Sequence, residues 1–251
     1  MRACVFCGER ASSKEDAWPP QWLTRRFPAT ESAQVEAERG GVPLGKWYTS
    51  SPNIRVGCVC AACNNGWMHR LEETASRIIE PLFEQRQHSI DARSLPTLAA
   101  WAVKTAMVLE NVSPDRPRFY SDSERTQLRL TNTIPRRACV WLVACVEQDT
   151  IYAEAKYLFG GDRSPGLCGV VTTMAFGLLA IQVLALRVPT GTPADVEVTI
   201  QSSEGPWDEV LAPVWPVHQI NLTWPPRQGL LGESGLEVLA NRFIPDVGEA
   251  A

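Results

Sequence analysis

Apolar residues recur at helical spacing in the stretch that follows Asn64. They stand at intervals of four, four and three positions: Trp67, Leu71, Ala75 and Ile78. This spacing places them on one face of an α-helix. Pro81 comes next, and proline ends a helix because it has no backbone N–H and clashes with the preceding turn. The pattern predicts an amphipathic helix from Asn64 to the residues before Pro81.

Three further helices are predicted, each from a different feature of the chain. Residues 95–111 are almost continuously apolar, which is typical of a helix that is buried on all sides. Asp122 or Ser123 is a favoured N-cap residue, and a short polar helix is expected from there to Leu130. The last helix is expected over residues 233–242.

Beyond Pro135 the pattern changes from helical to strand-like. Runs rich in β-branched and aromatic residues are bounded by glycine, proline and aspartate, which favour turns. We predict strands over residues 138–147, 151–159, 168–175, 178–188 and 196–200. Helices followed by a run of strands indicate the α+β class, here with a mostly antiparallel sheet.

One stretch raises the question of a membrane span. Residues 167–186 contain no charged residue, and a spanning helix needs about 20 apolar residues. However, the stretch includes Thr172, Thr173 and Gln182, and its β-branched residues form two blocks on either side of Phe176 and Gly177. We therefore predict two buried strands joined by a tight turn, and no membrane as a partner.

Two segments lack a sustained hydrophobic period. Residues 24–57 are rich in glycine, proline, serine and charged residues, and we interpret them as a long insertion in the N-terminal module. Residues 206–226 combine tryptophans with prolines and are interpreted as an extended cover. We divide the chain near residue 90, into a module of residues 1–90 and an α+β domain of residues 91–251 whose role the sequence does not indicate.

Composition and charge limit the classes of function. Of the 251 residues, 45% are hydrophobic, which is enough for a buried core and excludes a disordered chain. The net charge is -4, so any contact with nucleic acid needs a local basic patch. The first residues contain no charged segment followed by an apolar run, so no secretory signal is predicted and the expected location is cytoplasmic.

Four of the eight cysteines form two C-x-x-C pairs, Cys4 with Cys7 and Cys60 with Cys63. In a reducing compartment such pairs are typical of structural zinc, because four thiolates complete a tetrahedral Zn²⁺ site and leave no open position. The loop between the pairs is long, but the entropy of loop closure grows only logarithmically with length. Cys58 is an alternative to Cys60, although it would break the C-x-x-C spacing.

The residues around both pairs resemble a nuclease family. The zinc-bearing branch of the HNH endonucleases, whose fold is the ββα-metal finger, has motifs similar to C-V-F-C-G at residues 4–8, S-K-E-D-A-W-P-P-Q-W-L at 13–23 and C-A-A-C-N-N-G-W-M-H-R-L-E at 60–72. The run W-A-V-K-T-A-M-V at 101–108 is also similar to a stretch in proteins of this type, without indicating any chemistry.

The resemblance implies roles for three residues. Glu15 matches the acid that holds a divalent ion, Mg²⁺ or Mn²⁺, and Asn64 matches the second ligand of that ion. In the family, the ion stabilises the transition state of phosphodiester hydrolysis while a histidine activates water as the general base. Asp16 stands at the position of that histidine, so the chain departs from the family pattern there.

This departure leaves three interpretations open. The reference pKa of histidine is about 6.5 and that of aspartate about 3.9, so Asp16 is a much weaker base. Glu15, Asp16 and Asn64 could hold Mg²⁺ or Mn²⁺ and let the ion activate its bound water. His69, which lies five residues after Asn64, could act as the base. Alternatively, the nuclease chemistry is lost and the scaffold is reused.

Structural interpretations stand beside these catalytic ones. Asp16 and Asn64 belong to the residue types that favour helix N-caps. His69, Glu72 and Glu73 are typical of a solvated helix surface.

The leading prediction is an HNH-like zinc protein that hydrolyses phosphodiester bonds of nucleic acid with a divalent metal, using Glu15, Asp16, Asn64 and His69. The first alternative is the same fold reused as an enzyme on a small molecule, for example in a biosynthetic pathway. The second is a catalytically inactive binding protein, because a fold by itself does not determine function. The expected partners are accordingly DNA or another nucleic acid, or a small molecule, and the oligomeric state is not indicated.

Overall fold

The computed structural model describes most of the chain. The described residues are 2–22, 33–39, 42–49, 53–84, 86–112, 118–146, 151–159, 166–192, 202–230 and 232–243. Within them the protein is a mixture of helices and mostly antiparallel sheets, which agrees with the predicted α+β class.

The strands are numbered in chain order. They are β1 (Ser13–Asp16), β2 (Ala33–Arg39), β3 (Val42–Thr49), β4 (Arg55–Val59), β5 (His88–Asp91), β6 (Ala138–Ala144), β7 (Ile151–Phe159), β8 (Cys168–Phe176), β9 (Leu179–Arg187), β10 (Leu211–Trp215) and β11 (Asn221–Trp224).

The helices are numbered in the same way. They are α1 (Ala61–Cys63), α2 (His69–Ile79), α3 (Leu95–Leu109), α4 (Asp122–Thr131), α5 (Trp207–Val210) and α6 (Gly232–Asn241). A π-helical turn (Asn64–Met68) joins α1 to α2, and a 3₁₀ turn (Glu80–Glu84) follows α2.

The N-terminal part consists of two antiparallel strands followed by a helix. Strands β1 and β4 pair with Glu15 opposite Val56 and Asp16 opposite Arg55. Helix α1 begins directly after β4, and the helical path continues through the π turn into α2, with a kink at Gly66. The predicted helix over this stretch is confirmed, and Pro81 lies in the 3₁₀ turn that follows it.

Residues 24–57, which we interpret as a long insertion, contain regular structure that the sequence analysis did not predict. Strands β2 and β3 form an antiparallel hairpin there, in which Val35 pairs with Trp47. The sequence of β2 alternates small apolar and polar residues, A-Q-V-E-A-E-R, which is the period of a strand. The high polar content of the segment concealed that alternation.

The largest sheet has the strand order β10-β6-β9-β8-β7, and each neighbouring pair is antiparallel. The uncharged stretch 167–186 is the hairpin of β8 and β9, as predicted, and Gly177 between the strands has a φ of 56°. None of the described helices is both long enough and apolar enough to cross a membrane.

Both faces of this sheet are covered, which explains why β8 and β9 are apolar along almost their whole length. Val170 and Met174 of β8 point into the main core, whereas Ala175 packs in the cluster that contains Leu236 and Leu239 of α6. Alternate residues of a strand face opposite sides. Burial on both sides therefore removes the usual alternation of polar and apolar residues.

Helix α3 is buried along nearly its whole length, as its apolar sequence predicted. It packs against α2 and β4 of the N-terminal part and against β6, β9 and β10 of the sheet. An aromatic cluster joins the same regions, because Trp101 of α3 lies 6.2 Å from Trp18 and 5.7 Å from Trp22 between ring centroids. Phe176 of β8 lies 5.6 Å from Trp18. The division of the chain near residue 90 stays a prediction, and the two parts contact each other through α3, through Phe176 and through the pairing of β5 with β11.

The remaining predicted elements differ from the structure mainly at their ends. Helix α4 is capped by Ser121, whose side chain forms a capping box with Glu124, one residue before the predicted cap. Residues 206–226, which we interpret as an extended cover, include strands β10 and β11. Strand β10 pairs with β6 and strand β11 with β5. The strand predicted over residues 196–200 lies outside the described part of the chain.

Candidate metal centre and the buried ion pair beside it

Two tight turns bring the C-x-x-C pairs together. Between Cys4 and Cys7 the chain folds back, with a hydrogen bond of 2.9 Å from the Gly8 N–H to the Cys4 carbonyl. Gly8 has a φ of 78°, which favours glycine. Cys60 is the N-cap of α1, and its sulfur accepts a hydrogen bond from the backbone N–H of Cys63. Each pair thus presents both sulfurs from one compact turn.

The four sulfur atoms form one cluster. The Sγ atoms of Cys4, Cys7, Cys60 and Cys63 all lie within 4.8 Å of one another. A tetrahedral zinc with bonds of about 2.3 Å separates its sulfurs by about 3.8 Å, and the Sγ atoms of Cys7 and Cys60 are 3.5 Å apart. A disulfide would require about 2.05 Å. The cluster could therefore hold a metal ion such as zinc.

The surroundings of the sulfurs act differently on individual thiols of the cluster. Burial opposes ionisation of the Cys4 thiol, but backbone N–H groups of Phe6, Cys60 and Cys7 outweigh burial and lower the pKa of Cys4 to about 7. Burial raises the pKa of Cys63, and the Trp67 side chain acts in the opposite direction. The Trp67 indole nitrogen is buried and has no hydrogen-bond partner among the described residues. Donors directed at thiolates are typical of the second shell of a metal site.

Cys58 lies outside the cluster, so the pairing of Cys60 with Cys63 is the one that the structure favours. Cys58 is 4% exposed, and burial raises the pKa of its thiol to about 12. Cys58 therefore belongs to the apolar core.

The Glu15 carboxylate forms a buried ion pair with a lysine that is distant in sequence. The Lys104 ammonium lies 2.6 Å from Glu15 Oε1, and the side chains of Lys104 and Glu15 are 0% and 5% exposed. Glu72 of α2 lies 3.8 Å from the same ammonium. Strand β1, helix α2 and helix α3 thus converge on one charged group in the core.

Asp16 belongs to a different set of contacts. Its Oδ1 accepts a hydrogen bond of 2.9 Å from Asn53 Nδ2 and lies 3.1 Å from Arg55 Nε. Burial raises the pKa of the Asp16 carboxyl, Glu15 adds to that effect, and Arg55 and Lys104 oppose it. Because neighbouring residues of a strand point to opposite sides, the carboxyl groups of Glu15 and Asp16 have different partners.

Asn64 and His69 are placed separately from the ion pair. The Asn64 Nδ2 donates to Ser13 Oγ at 2.8 Å and to the Lys14 carbonyl at 3.0 Å, so this side chain joins the start of the π turn to β1. His69 is 61% exposed and its Nε2 lies 3.9 Å from Glu73 Oε1. The four predicted site residues therefore lie in the same region, but each side chain has its own contact partners.

These contacts bear on the predicted Mg²⁺ or Mn²⁺ site, which stays a prediction. The carboxylate of Glu15 is occupied by an ammonium, and the Asn64 amide nitrogen is occupied by β1. In this arrangement Glu15, the first of the two expected ligands, already has a cationic partner.

Lys104 is the important residue whose role the sequence alone did not reveal. The signal was a single charged residue inside an almost wholly apolar helix, L-P-T-L-A-A-W-A-V-K-T-A-M-V-L. A lysine is rarely buried unless an acid pairs with it. Its presence in a buried helix therefore indicated an acidic partner elsewhere in the chain, although not which one.

The chain was also compared with known proteins. No family model, no curated protein and no solved structure matches it. Arguments about function therefore rest on the residues themselves.

Proposed function

We propose that the protein is a binding protein built on a ββα module that four cysteines hold together. In this module the ammonium of Lys104 takes the place of a nuclease-type divalent ion. The observation that carries the proposal is the contact of 2.6 Å between Lys104 Nζ and Glu15 Oε1 in the buried core. The four cysteines would hold a structural zinc ion, and the module would serve as a scaffold rather than as a phosphodiesterase.

Electrostatics supports this proposal. A divalent ion bound to the Glu15 carboxylate would lie about 4 Å from the ammonium that already binds it. At an effective dielectric constant of about 20, the repulsion between charges of +2 and +1 at that distance is about 8 kcal/mol. The ammonium and the ion therefore compete for one carboxylate, and the ammonium has the advantage of being attached to the buried helix α3.

A phosphodiesterase that uses a divalent metal is the second candidate. Two features favour it: the order of two antiparallel strands followed by a helix, and the contact of Asn64 with β1 next to Glu15. Under this alternative, Lys104 would have to leave Glu15 before an ion could bind. The resemblance to zinc-bearing HNH endonucleases belongs to this candidate.

A cleavage assay separates the two candidates. Plasmid and single-stranded oligonucleotides are incubated with the zinc-loaded protein and Mg²⁺ or Mn²⁺, beside Asp16→His and the double variant Asp16→His/Lys104→Met. We expect no cleavage by the wild-type protein. Cleavage by the wild type that Glu15→Gln abolishes would overturn the proposal in favour of the nuclease.

The double variant tests the role given to Lys104. It restores a histidine at the general-base position and removes the ammonium, so cleavage by this variant alone would support the replacement of the ion by Lys104. Circular dichroism and elemental zinc content establish that each variant is folded before its activity is compared.

A further inference from the structure

The four cysteines of the cluster differ in their access to solvent. Cys4, Cys60 and Cys63 are 3%, 5% and 4% exposed, whereas Cys7 is only partly buried. Individual contacts show the same difference. The contact between the sulfurs of Cys7 and Cys60 is partly exposed, while the hydrogen bond from the Cys63 N–H to the Cys60 sulfur is buried. Cys7 is therefore the ligand at which a small solute meets the cluster.

Backbone donors are also distributed unequally within the first pair. The Cys4 sulfur has the backbone N–H groups of Phe6, Cys60 and Cys7 as donors. The Cys7 sulfur has the backbone N–H of Glu9. A hydrogen bond to a thiolate stabilises its negative charge, and a thiolate that is stabilised in this way is the weaker nucleophile. When zinc holds both sulfurs as thiolates, Cys7 is therefore the more accessible and the more nucleophilic of the two.

Cys60 supplies a second sulfur next to this accessible one. The Sγ atoms of Cys7 and Cys60 are 3.5 Å apart, and a disulfide bond of about 2.05 Å needs a shift of only about 1.5 Å. The two residues are 53 positions apart in the chain and belong to different C-x-x-C turns. A disulfide between them would join the two turns, whereas a disulfide within either pair would leave the turns separate.

We propose that the cluster is a redox switch in which a hydroperoxide oxidises Cys7 first, Cys60 then forms a disulfide with it, and zinc is released. The Cys7 thiolate attacks one oxygen of the peroxide, the O–O bond breaks, and the other oxygen leaves and takes up a proton. The Cys60 thiolate attacks the sulfenic acid that results, forms the S–S bond and expels hydroxide. Together the two sulfurs lose the two electrons that the peroxide gains.

The oxidation removes two of the four zinc ligands. A structural zinc ion is held by four protein ligands, so Cys4 and Cys63 alone do not retain it. The new disulfide takes over part of the role of the metal, because it still connects the N-terminal turn to the start of α1. The oxidised module is therefore expected to be less stable than the zinc-bound one and more stable than the reduced, zinc-free one.

This inference rests on the structural zinc of the proposed function, and the two fail in different ways. Zinc that is bound and resists peroxide would overturn the switch and leave the zinc assignment intact. Protein that contains no zinc under reducing conditions would overturn both. Nucleic-acid cleavage would overturn the proposed function without affecting the switch.

The direct test follows zinc and disulfides in the same sample. Reduced, zinc-loaded protein is treated with hydrogen peroxide, and a chromogenic chelator reports the release of zinc. Tandem mass spectrometry locates the disulfide, because Cys4 and Cys7 share one tryptic peptide, residues 3–10, and fragmentation has to distinguish them. We expect about one zinc to be released for each disulfide formed, with Cys7 and Cys60 joined first. Dithiothreitol and added zinc should restore the zinc content.

Two histidine variants locate the first attack. Cys7→His and Cys4→His each replace a thiolate by an imidazole, which zinc also accepts as a ligand, so both should keep the metal. Cys7→His removes the accessible sulfur and should slow zinc release at least about tenfold. Cys4→His is the matched control, because it keeps Cys7 and Cys60 and should stay within about threefold of the wild-type rate. The first disulfide of the wild-type protein decides the question even if a histidine variant loses its zinc.

The thiols outside the cluster provide a second control. Cys139 and Cys168 are partly buried and do not belong to the cluster. The double variant Cys139→Ala/Cys168→Ala should release zinc at the wild-type rate, because these thiols take no part in the proposed reaction.

Four results would overturn the proposal. The first is zinc that stays bound while Cys139 and Cys168 are oxidised. The second is a first disulfide within either C-x-x-C pair, and the third is equal rates of zinc release in Cys7→His and Cys4→His. The fourth is zinc loss through sulfinic acids that dithiothreitol does not reverse, which would identify oxidative damage instead of a switch.

Discussion

The Lys104 ammonium and the Glu15 carboxylate, 89 positions apart in the chain, form a buried contact of 2.6 Å. Glu15 lies on β1, which pairs with the strand that ends just before Cys60, and Lys104 lies on α3, against the large sheet. The ion pair therefore adds an electrostatic contact between the N-terminal part and the rest of the molecule to the apolar contacts of α3. It also occupies the carboxylate that the nuclease interpretation requires.

Replacement of Lys104 should destabilise the fold strongly. Lys104→Met leaves the Glu15 carboxylate buried without its ammonium, and breaking a buried pair in this way costs about 3–5 kcal/mol. The free energy of unfolding from urea denaturation measures the loss. Lys14→Met, which changes an exposed lysine of the strand that carries Glu15, should cost less than about 0.5 kcal/mol.

The double variant Lys104→Met/Glu15→Gln distinguishes an ion pair from simple packing. When both charges are removed, part of the lost stability should return, because the fully buried pair is gone and only the Glu72 carboxylate, which is 20% exposed, loses the ammonium. If the losses of unfolding free energy in the two single variants simply add up in the double variant, the two side chains do not interact energetically.

Removal of the metal should unfold the N-terminal module. Elemental analysis is expected to find one zinc per chain, and Cys63→Ser should lose it and several kcal/mol of stability, because metal binding and folding are coupled. Cys58→Ala is the control, since Cys58 is buried outside the cluster. Full zinc content in Cys63→Ser would refute the assigned ligand set.

Asp16 should make stability depend on pH in a direction that the structure specifies. Burial raises the pKa of its carboxyl above the usual value of 3.8. The folded state therefore binds the Asp16 proton more tightly than the unfolded state does. The stability gained from this difference is complete at pH values below the unfolded pKa, and it is lost as pH rises through the folded pKa. Asp16→Asn should match the wild type near pH 3 and exceed its stability near pH 7.

Arg55 provides the companion measurement. This guanidinium lies 3.1 Å from Asp16 Oδ1 and opposes the rise in the pKa of the carboxyl. Arg55→Gln should therefore deepen the loss of stability with rising pH, but only where Asp16 is present. An Asp16→Asn protein that is less stable than the wild type near pH 7 would contradict the expected direction of this pH dependence.

The aromatic cluster should contribute more to stability than any single surface contact. Trp101 is fully buried between Trp18 and Trp22, so Trp101→Ala should cost about 3–5 kcal/mol through the cavity that it leaves. Thermal and urea unfolding measure the change. Ile220→Ala, at a position that is 84% exposed, should change stability by less than about 0.5 kcal/mol.

Elements with a strong local pattern were predictable from the sequence. Helix α3 and strands β7, β8 and β9 appear within a few residues of their expected ends, because long apolar runs and flanking turn residues act locally. The hairpin of β2 and β3 was missed because its alternation is carried by small residues among many charged ones.

The sequence by itself determined the cysteine cluster, since the spacing of the two C-x-x-C pairs predicts the four sulfurs that could hold a metal ion and the local turns that present them. The resemblance of its motifs to a nuclease family also implied that Glu15, Asp16 and Asn64 lie together, with His69 close to Asn64. Only the tertiary structure decided what these side chains contact. Glu15 pairs with Lys104, Asp16 with Arg55 and Asn53, and Asn64 with β1. The physical reason is that an ion pair depends on distance in space. The sequence contains two opposite charges 89 positions apart, and only the packing of α3 against β4 and α2 brings them into contact.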